Sequence, residues 1–262
     1  MKVAFYTLGC KLNQAETESV AGRFSQAGYQ LVAPNSLADI YVANTCTVTH
    51  VADRKSRHWL RLVRRRNPEA FIIATGCYAQ RAPQELAQLA DFVLDNEGKT
   101  HLLEIVKGLL VIKPESFSSC HSEGEKRPKN LAQGKLPEGA AQQSHAPLNT
   151  RVRSLIKIQD GCHSPCAYCI VPKVRPHECS LPASKIIGEI KQRVAMGYKE
   201  VVLTGTKIGC YSDNGATLSD LIKSILHDTN IERLRLSSLQ PQEISPGFLA
   251  LWQGKRLCRH FH

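Results

Sequence analysis

Short apolar runs alternate with helical, amphipathic stretches along the first hundred residues. Strand-like apolar runs occur at Lys2–Gly9, Ala38–Cys46, Ala70–Cys77 and Asp91–Asp95. Apolar residues at helical spacing fall between them, at Gln14–Gly28, Val51–Arg66 and Pro83–Ala90. Strands that alternate with helices indicate a mostly parallel sheet covered by helices on both faces. The predicted fold class is therefore α/β.

The alternation stops and then resumes further along the chain. Residues 113–150 have no apolar period and are rich in Pro, Gly, Ser, Gln and Lys, which predicts a flexible linker. Strands are then predicted at Ser154–Asp160, Glu200–Gly205 and Ile231–Ser238, and helices at Ala183–Gly197, Leu218–Asp228 and Pro246–Gln253. Repeated βα units are typical of a barrel, and only about three of the usual eight are present here. The pattern divides the chain into an N-terminal domain at 1–112, the linker at 113–150, and a partial barrel at 151–262 that ends inside a predicted strand.

Composition and charge narrow the class of protein. The chain has 262 residues, of which 42% are hydrophobic, and no apolar run is long enough to cross a bilayer. The N-terminus lacks the long apolar core of a signal peptide, so we expect a cytoplasmic protein without membrane contact. A net charge of +11 favours polyanionic partners, nucleic acid first.

Three of the ten cysteines follow predicted parallel strands directly. Cys10, Cys46 and Cys77 each stand just past the carboxyl end of a different strand. Ligands bind at that edge of open α/β sheets, so these thiols are expected to meet at one metal site. The alternative is three unrelated buried cysteines, since free cysteine behaves as a small hydrophobe.

A second cysteine group stands in the stretch "IKIQDGCHSPCAYCIVPKVR". Cys162, Cys166 and Cys169 form a C-x3-C-x2-C run in the loop after a strand. Three thiolates can hold a four-iron cluster and leave one iron open for a small molecule. A structural zinc site usually needs a fourth ligand, and that alternative stays open because further donors lie nearby: His163, His177 and Cys179.

This run resembles the signature of radical S-adenosylmethionine enzymes, in which Tyr168 stands where the superfamily flanks the adenine of the cofactor. The chain apart from the linker also resembles the tRNA methylthiotransferases. The matching stretches are "TLGCKLNQAETE", "NTCTVTHVADRKSRHWLRLVRRRNPEA", "TGCYAQ", "IKIQDGCHSPCAYCIVP" and "EVVLTGTKIGCY". Among the branches of that family, the sequence is most similar to the one that acts on N6-threonylcarbamoyladenosine-37.

The resemblance implies the cofactors, the partners and the ligands. It implies two 4Fe-4S clusters, an auxiliary one on the N-terminal cysteines and a radical one on the C-x3-C-x2-C run. It implies S-adenosyl-L-methionine, with Thr204 and Gly205 in the strand-end segment that contacts the methionine end of the cofactor. The implied partners are the tRNA anticodon loop at A37 and an electron donor such as flavodoxin or ferredoxin.

In the family, radical chemistry at C2 of adenosine-37 is followed by delivery of a methylated sulfur from the auxiliary cluster. Two features depart from the family pattern. An Arg-Gly usually follows "IVP", whereas here Arg175 is followed by Pro176. The later barrel strands and a small RNA-binding domain are also absent, so the chain looks C-terminally truncated and is expected to be inactive alone. The alternatives are methylthiolation of isopentenyladenosine-37 and a non-catalytic iron–sulfur or zinc fragment that binds RNA.

One predicted helix is strongly basic. On Val51–Arg66 the helical spacing places five basic residues on one face: Arg54, Arg57, His58, Arg61 and Arg65. Ala52, Ser56, Trp59 and Val63 fall opposite and are expected to pack on the sheet. The basic face is either a solvated surface or a contact with the RNA backbone.

Overall fold

A five-stranded parallel sheet forms the centre of the N-terminal part of this computed structural model, which describes residues 1–112 and 153–260. The strands are β1 (Lys2–Thr7), β2 (Gln30–Val32), β3 (Ile40–Thr45), β4 (Phe71–Gly76) and β5 (Phe92–Val93). Their order in the sheet is β2-β1-β3-β4-β5, and every pairing is parallel. The predicted parallel α/β sheet is confirmed. The linker expected at 113–150 lies outside the described residues.

Helices cover both faces of this sheet. They are α1 (Lys11–Gln26), α2 (His50–Arg66), α3 (Cys77–Arg81), α4 (Pro83–Ala87) and α5 (Leu102–Ile112). On one face Phe24 of α1 packs with Phe5 of β1, with ring centroids 5.4 Å apart. On the other face Trp59 of α2 stacks on Tyr6 at a centroid distance of 4.3 Å. Burial of apolar side chains on both faces is what a parallel sheet requires.

Three elements of this part were not predicted from the sequence: strand β2, the five-residue helix α3 and helix α5. Strand β2 has three residues at the edge of the sheet, too few to show an alternating pattern. Helix α5 is mostly apolar, so its helical period does not stand out from the sequence. Helix α1 also begins at Lys11, three residues earlier than expected, with Cys10 at its N-cap.

The second part is a three-stranded parallel sheet with helices on one face. Its elements in chain order are β6 (Arg153–Lys157), β7 (Gln159–Asp160), α6 (Val171–Val174), β8 (Cys179–Ser180), α7 (Ala183–Ala195), β9 (Glu200–Thr204), β10 (Ser212–Asp213), β11 (Ala216–Thr217), α8 (Leu218–Asp228), β12 (Arg233–Leu236) and α9 (Pro246–Leu249). The sheet order is β12-β9-β6, and short antiparallel pairs join β7 to β8 and β10 to β11. Leu257 adds a single parallel bridge to Leu234, where a further strand was predicted. The predicted partial (βα) barrel is confirmed.

Helix α1 joins the two parts. On the face of the second sheet opposite α7 and α8, Ala15 of α1 packs against Leu155 of β6 and Val202 of β9. A cavity of 620 Å³ opens beside this contact. The helix that follows Cys10 is therefore shared by the N-terminal sheet and the barrel sheet.

Candidate functional site

The three N-terminal cysteines lie at one edge of the first sheet. Cys10 is the N-cap of α1, Cys46 follows β3 directly, and Cys77 is the first residue of α3, immediately after β4. The preceding strands β1, β3 and β4 are neighbours, so their carboxyl ends are adjacent. The chain adds strands to one side of β1 and then, from β3 onward, to the other side, so the strand order reverses between β1 and β3. Ligands bind at such a switch point of an α/β sheet.

Backbone geometry brings the first two of these loops together. Gly9 has a φ of +110°, and a Cβ built there would lie 2.8 Å from the Cβ of Cys46. Only glycine allows so close an approach in that conformation. The Nδ2 of Asn13 donates to the carbonyl oxygens of Leu8 at 2.8 Å and Thr45 at 3.3 Å, which ties the two loops to α1.

The electrostatics of this group suit a cationic or cluster ligand. Burial raises the pKa of the Cys46 thiol, and the neighbouring Cys77 and Cys10 raise it further. Three thiolates so placed repel one another, and a bound metal centre would relieve that repulsion. All nine cysteines of residues 1–112 and 153–260 are free thiols. The donor set therefore fits an iron–sulfur cluster.

The second cysteine group occupies a loop closed by a short hairpin. Strand β7 precedes Cys162 and pairs with β8 beyond the loop. Within the loop the amide of Cys169 donates to the carbonyl of Cys166 at 3.1 Å. Cys162 is buried, Cys169 is half-buried and Cys166 is exposed, so the thiols line a loop that opens to solvent at one side.

The segment after β9 is held beside this loop. The Oε1 of Gln159 accepts hydrogen bonds from the amides of Thr206 at 3.0 Å and Lys207 at 2.8 Å. A Cβ built on Gly205 would lie 2.7 Å from the carbonyl oxygen of Gln159, so a larger residue there would push the two segments apart. Gln159, the middle residue of "IQD", was not singled out from the sequence.

The other two residues expected at the cofactor differ in exposure. The hydroxyl of Thr204 is buried and accepts a hydrogen bond from the hydroxyl of Ser237 at 3.0 Å. Tyr168, in the cysteine loop, is 96% exposed. Thr204 is therefore enclosed, whereas Tyr168 is free to contact a ligand.

The histidines considered as zinc ligands turn to carboxylates. His163 Nδ1 lies 3.4 Å from Glu178, and His177 Nε2 lies 3.1 Å from Glu97. Across the part of the chain that the structure describes, no three His, Cys, Asp or Glu side chains converge closely enough to hold a single metal ion. His163 and His177 are therefore each paired with a carboxylate in the described part of the chain.

A buried ionic cluster lies between the two cysteine groups, and it was not predicted from the sequence. Arg175 is only 3% exposed in its side chain, and its guanidinium contacts Glu16 at 2.8 Å and Asp160 at 2.7 Å. Lys99 contacts Glu16 at 2.5 Å, and Lys157 contacts both carboxylates, at 3.1 and 2.5 Å. Glu16 and Lys99 belong to the N-terminal part and the other three to the barrel part.

The charges of this cluster stabilise one another. Burial alone would raise the pKa of Glu16, but Lys99 and Arg175 hold it well below its usual range. Burial likewise opposes the charged form of Arg175, but Glu16 holds the pKa of Arg175 well above its usual value. Both groups stay ionised at neutral pH because each has its counterion within hydrogen-bond distance.

The predicted basic face of α2 is present, except that Arg57 has partners within the N-terminal part. Arg54, Arg61 and Arg65 are exposed, and the described residues place no carboxylate in contact with them. Arg57, predicted on the same face, instead hydrogen-bonds the Tyr78 hydroxyl and pairs with Glu85 at 3.4 Å. The predicted packing face is confirmed, since its four members are buried or half-buried: Ala52, Ser56, Trp59 and Val63.

Fold and site together define a class: an α/β protein that joins a parallel-sheet domain with three strand-end cysteines to a partial barrel with a C-x3-C-x2-C loop. Residues 2–95 match the family model described as "Uncharacterized protein family UPF0004". The chain is 38% identical over 266 residues to the threonylcarbamoyladenosine tRNA methylthiotransferase MtaB of Aquifex aeolicus, and 34% identical over 269 residues to that of Bacillus subtilis. The resemblance to the tRNA methylthiotransferase family, and to this branch of it, is confirmed.

These alignments cover nearly all of this chain but only part of each relative. They span 100% of this chain and 62% of the Aquifex protein, and 99% and 56% for the Bacillus protein. A solved structure of similar fold is the radical S-adenosylmethionine methyltransferase TsrM from Kitasatospora setae, with a TM-score of 0.60 and 14% identity. That match covers 98% of this chain and 58% of TsrM, and it supports the fold.

Over residues 1–112 and 153–260, no helix has both the length and the apolar character needed to cross a bilayer.

Proposed function

We propose that this chain takes part in methylthiolation of C2 of N6-threonylcarbamoyladenosine-37 in tRNA by radical S-adenosylmethionine chemistry. The observation that carries the proposal is the placement of two separate triplets of free cysteines. Each triplet lies in loops at the carboxyl ends of parallel strands, and helix α1 contacts both sheets. The similarity to the threonylcarbamoyladenosine tRNA methylthiotransferases supports this choice of substrate.

Each triplet has a distinct role in this proposal. Cys10, Cys46 and Cys77 hold an auxiliary 4Fe-4S cluster, and the loop from Cys162 to Cys169 holds the radical cluster. When bound, the two clusters supply electron transfer to S-adenosyl-L-methionine and the sulfur that is transferred. The chain's own residues shape the pocket: Gly205 allows the segment after β9 to approach, and the exposed ring of Tyr168 is available to stack on the adenine.

The partners follow from charge and from the chemistry. Helix α2 begins just after Cys46, and no carboxylate of residues 1–112 or 153–260 contacts its exposed Arg54, Arg61 and Arg65. These arginines suit a phosphate backbone such as that of the tRNA anticodon loop. Reductive cleavage of the cofactor needs one electron at a time, so a small one-electron donor such as flavodoxin or ferredoxin is the second partner.

The test is mass spectrometry of nucleosides from tRNA of a bacterial host that lacks its own enzyme. Because the chain spans about 62% of the Aquifex relative, it is tested alone and joined to the remaining C-terminal part of that relative. We expect the joined protein to form 2-methylthio-threonylcarbamoyladenosine, and the same protein with alanines at the radical triplet to form none. Methylthio-isopentenyladenosine instead would assign the other tRNA branch. No methylthio nucleoside from a joined protein with iron in both triplets would overturn the proposal and favour the RNA-binding alternative.

A further inference from the structure

Arg175 contacts both cysteine-bearing parts of the chain. Its backbone carbonyl accepts a hydrogen bond from the amide of Cys162 at 3.3 Å. Its guanidinium donates to Oδ1 of Asn13 at 3.0 Å and to Glu16 at 2.8 Å, both on α1. One buried residue thus joins the first ligand of the radical loop to the helix that begins directly after Cys10.

The contact with Asn13 extends this link to the other N-terminal loops. Asn13 itself bonds the carbonyls of Leu8 and Thr45, which immediately precede Gly9–Cys10 and Cys46. A second bridge lies next to Arg175, where Nδ2 of Asn96 donates to the carbonyl of Val174 at 2.8 Å. The path from the Cys162 amide to the N-terminal cysteine loops therefore runs through two side chains.

Charge balance among the five residues of this cluster does not by itself account for the arginine. The buried cluster has three cations against two carboxylates, a surplus of one positive charge: Lys99, Lys157 and Arg175 against Glu16 and Asp160. Without Arg175 the remaining two cations and two carboxylates would balance. What arginine adds is a rigid planar fork that donates to several acceptors at once, a geometry that lysine cannot reproduce.

We infer that Arg175 is a positioning residue that fixes the radical-cluster loop against the N-terminal cysteine loops and so sets the separation of the two cluster sites. The inference rests on the proposed function in taking the triplets as cluster sites. Transfer of a group between two centres depends on their being held in a productive geometry, because a small misplacement slows the reaction steeply.

The test compares Arg175→Met and Arg175→Lys with the unaltered chain by amide hydrogen exchange. In Arg175→Met we expect peptides covering residues 160–170 and 8–18 to exchange about tenfold faster, since buried hydrogen bonds to a charged group are lost. Arg175→Lys keeps the charge but not the fork, so we expect a smaller increase in the same peptides. Arg64→Met is the matched control, because Arg64 pairs with Asp91 at 2.6 Å within the N-terminal part alone.

Exchange in the core strand β9 reports global unfolding separately. Unchanged exchange of both peptides in Arg175→Met would overturn the inference. If Arg175→Met exchanges faster throughout the chain, β9 included, the variant has unfolded and Arg175→Lys is the deciding test. Faster exchange in the two peptides alone of Arg175→Lys supports the inference, and unchanged exchange there overturns it.

A spectroscopic measurement tests whether Arg175 affects the relative placement of the two clusters. After anaerobic loading we expect Arg175→Met to keep the iron content of the unaltered chain while the magnetic interaction between the two reduced clusters changes in the electron paramagnetic resonance spectrum. An unaltered interaction would overturn the positioning role. Failure of the unaltered chain to load iron would count against the proposed function instead, and the exchange experiment would still decide whether Arg175 holds the loops together.

Discussion

The guanidinium of Arg175 lies 2.8 Å from Oε1 of Glu16, a residue 159 positions earlier in the chain. This buried ion pair joins the barrel part to α1 of the N-terminal part. Both side chains are almost completely enclosed, at 3% and 7% exposure. Removing either partner therefore has consequences that differ with the charge left behind.

Glu16→Gln is expected to destabilise the chain more than Arg175→Met. The first change leaves three cations, two of them buried, facing only Asp160 and should cost about 3–5 kcal/mol of the free energy of unfolding. The second leaves balanced charges and should cost about 1–3 kcal/mol for the lost hydrogen bonds. Urea denaturation measures both. Glu189→Gln, which breaks a pair within α7 at 3.2 Å, is the control and should cost about 0.3–0.5 kcal/mol. Equal costs for the two buried changes would contradict this charge balance.

The same cluster predicts sensitivity to acid. The pKa of Glu16 is held well below its usual range in the folded state by Lys99 and Arg175, against the effect of burial. The unfolded state therefore binds more protons, and the stabilisation is present above the usual glutamate pKa of about 4.3 and is lost as the pH falls below it. Denaturation midpoints between neutral pH and pH 3 should fall less steeply for Glu16→Gln than for the unaltered chain. If the denaturation midpoints of Glu16→Gln and of the unaltered chain fall equally with pH, Glu16 is not the source of the acid sensitivity.

The two cysteine triplets should hold separable iron. Anaerobic reconstitution with iron and sulfide should give roughly eight irons per chain, as expected for two four-iron clusters. Replacement of the triplet at Cys162, Cys166 and Cys169 by alanine should remove about half of that iron and leave the remainder bound. Cys179 provides the control, since its change to alanine should leave the iron content as it is. Stoichiometric zinc in place of iron would refute the cluster assignment.

Gly205 should be required for cofactor binding. A Cβ at this position would lie 2.7 Å from the Gln159 carbonyl, so Gly205→Ala should displace the segment after β9. We expect about tenfold weaker S-adenosylmethionine binding in calorimetry, which corresponds to about 1.4 kcal/mol. Gly188→Ala is the matched control because nothing lies within 4 Å of its added Cβ. It should leave binding unchanged and raise stability by about 0.8–1 kcal/mol as a helix substitution. An unchanged affinity in Gly205→Ala would show that the segment does not contact the cofactor.

The basic face of α2 should contribute to tRNA affinity through phosphate contacts. Alanine at Arg54, Arg61 and Arg65 together should weaken binding and reduce the slope of log affinity against log salt by about one unit per lost contact. Filter binding over a series of salt concentrations measures this. The control removes three lysines from the outer barrel helices: Lys185, Lys191 and Lys223. An unchanged slope for the arginine variant would make the face a solvated surface only.

The sequence by itself determined most of the longer strands and helices and the members of the two cysteine triplets. Periodicity of apolar positions is a local property, so strands such as β3 and β4 and a helix such as α2 could be read directly. Cysteines after parallel strands share a sheet edge by the geometry of the fold, which is why Cys10, Cys46 and Cys77 could be grouped before their strand order was known. Strand β2 and helix α5 were missed because one is too short, and the other too uniformly apolar, to display a period.

Only the tertiary structure decided how the two parts meet. Lys99 lies 83 positions after Glu16, and Arg175 lies 159 positions after it. The three residues share no local pattern, so nothing in the sequence groups them. Arg57 likewise has the spacing of a surface arginine, and its pairing with Tyr78 and Glu85 depends on how α3 and α4 pack. Contacts between distant segments are set by the docking of whole elements, since burial forces charged groups to find partners wherever the packed elements bring them together.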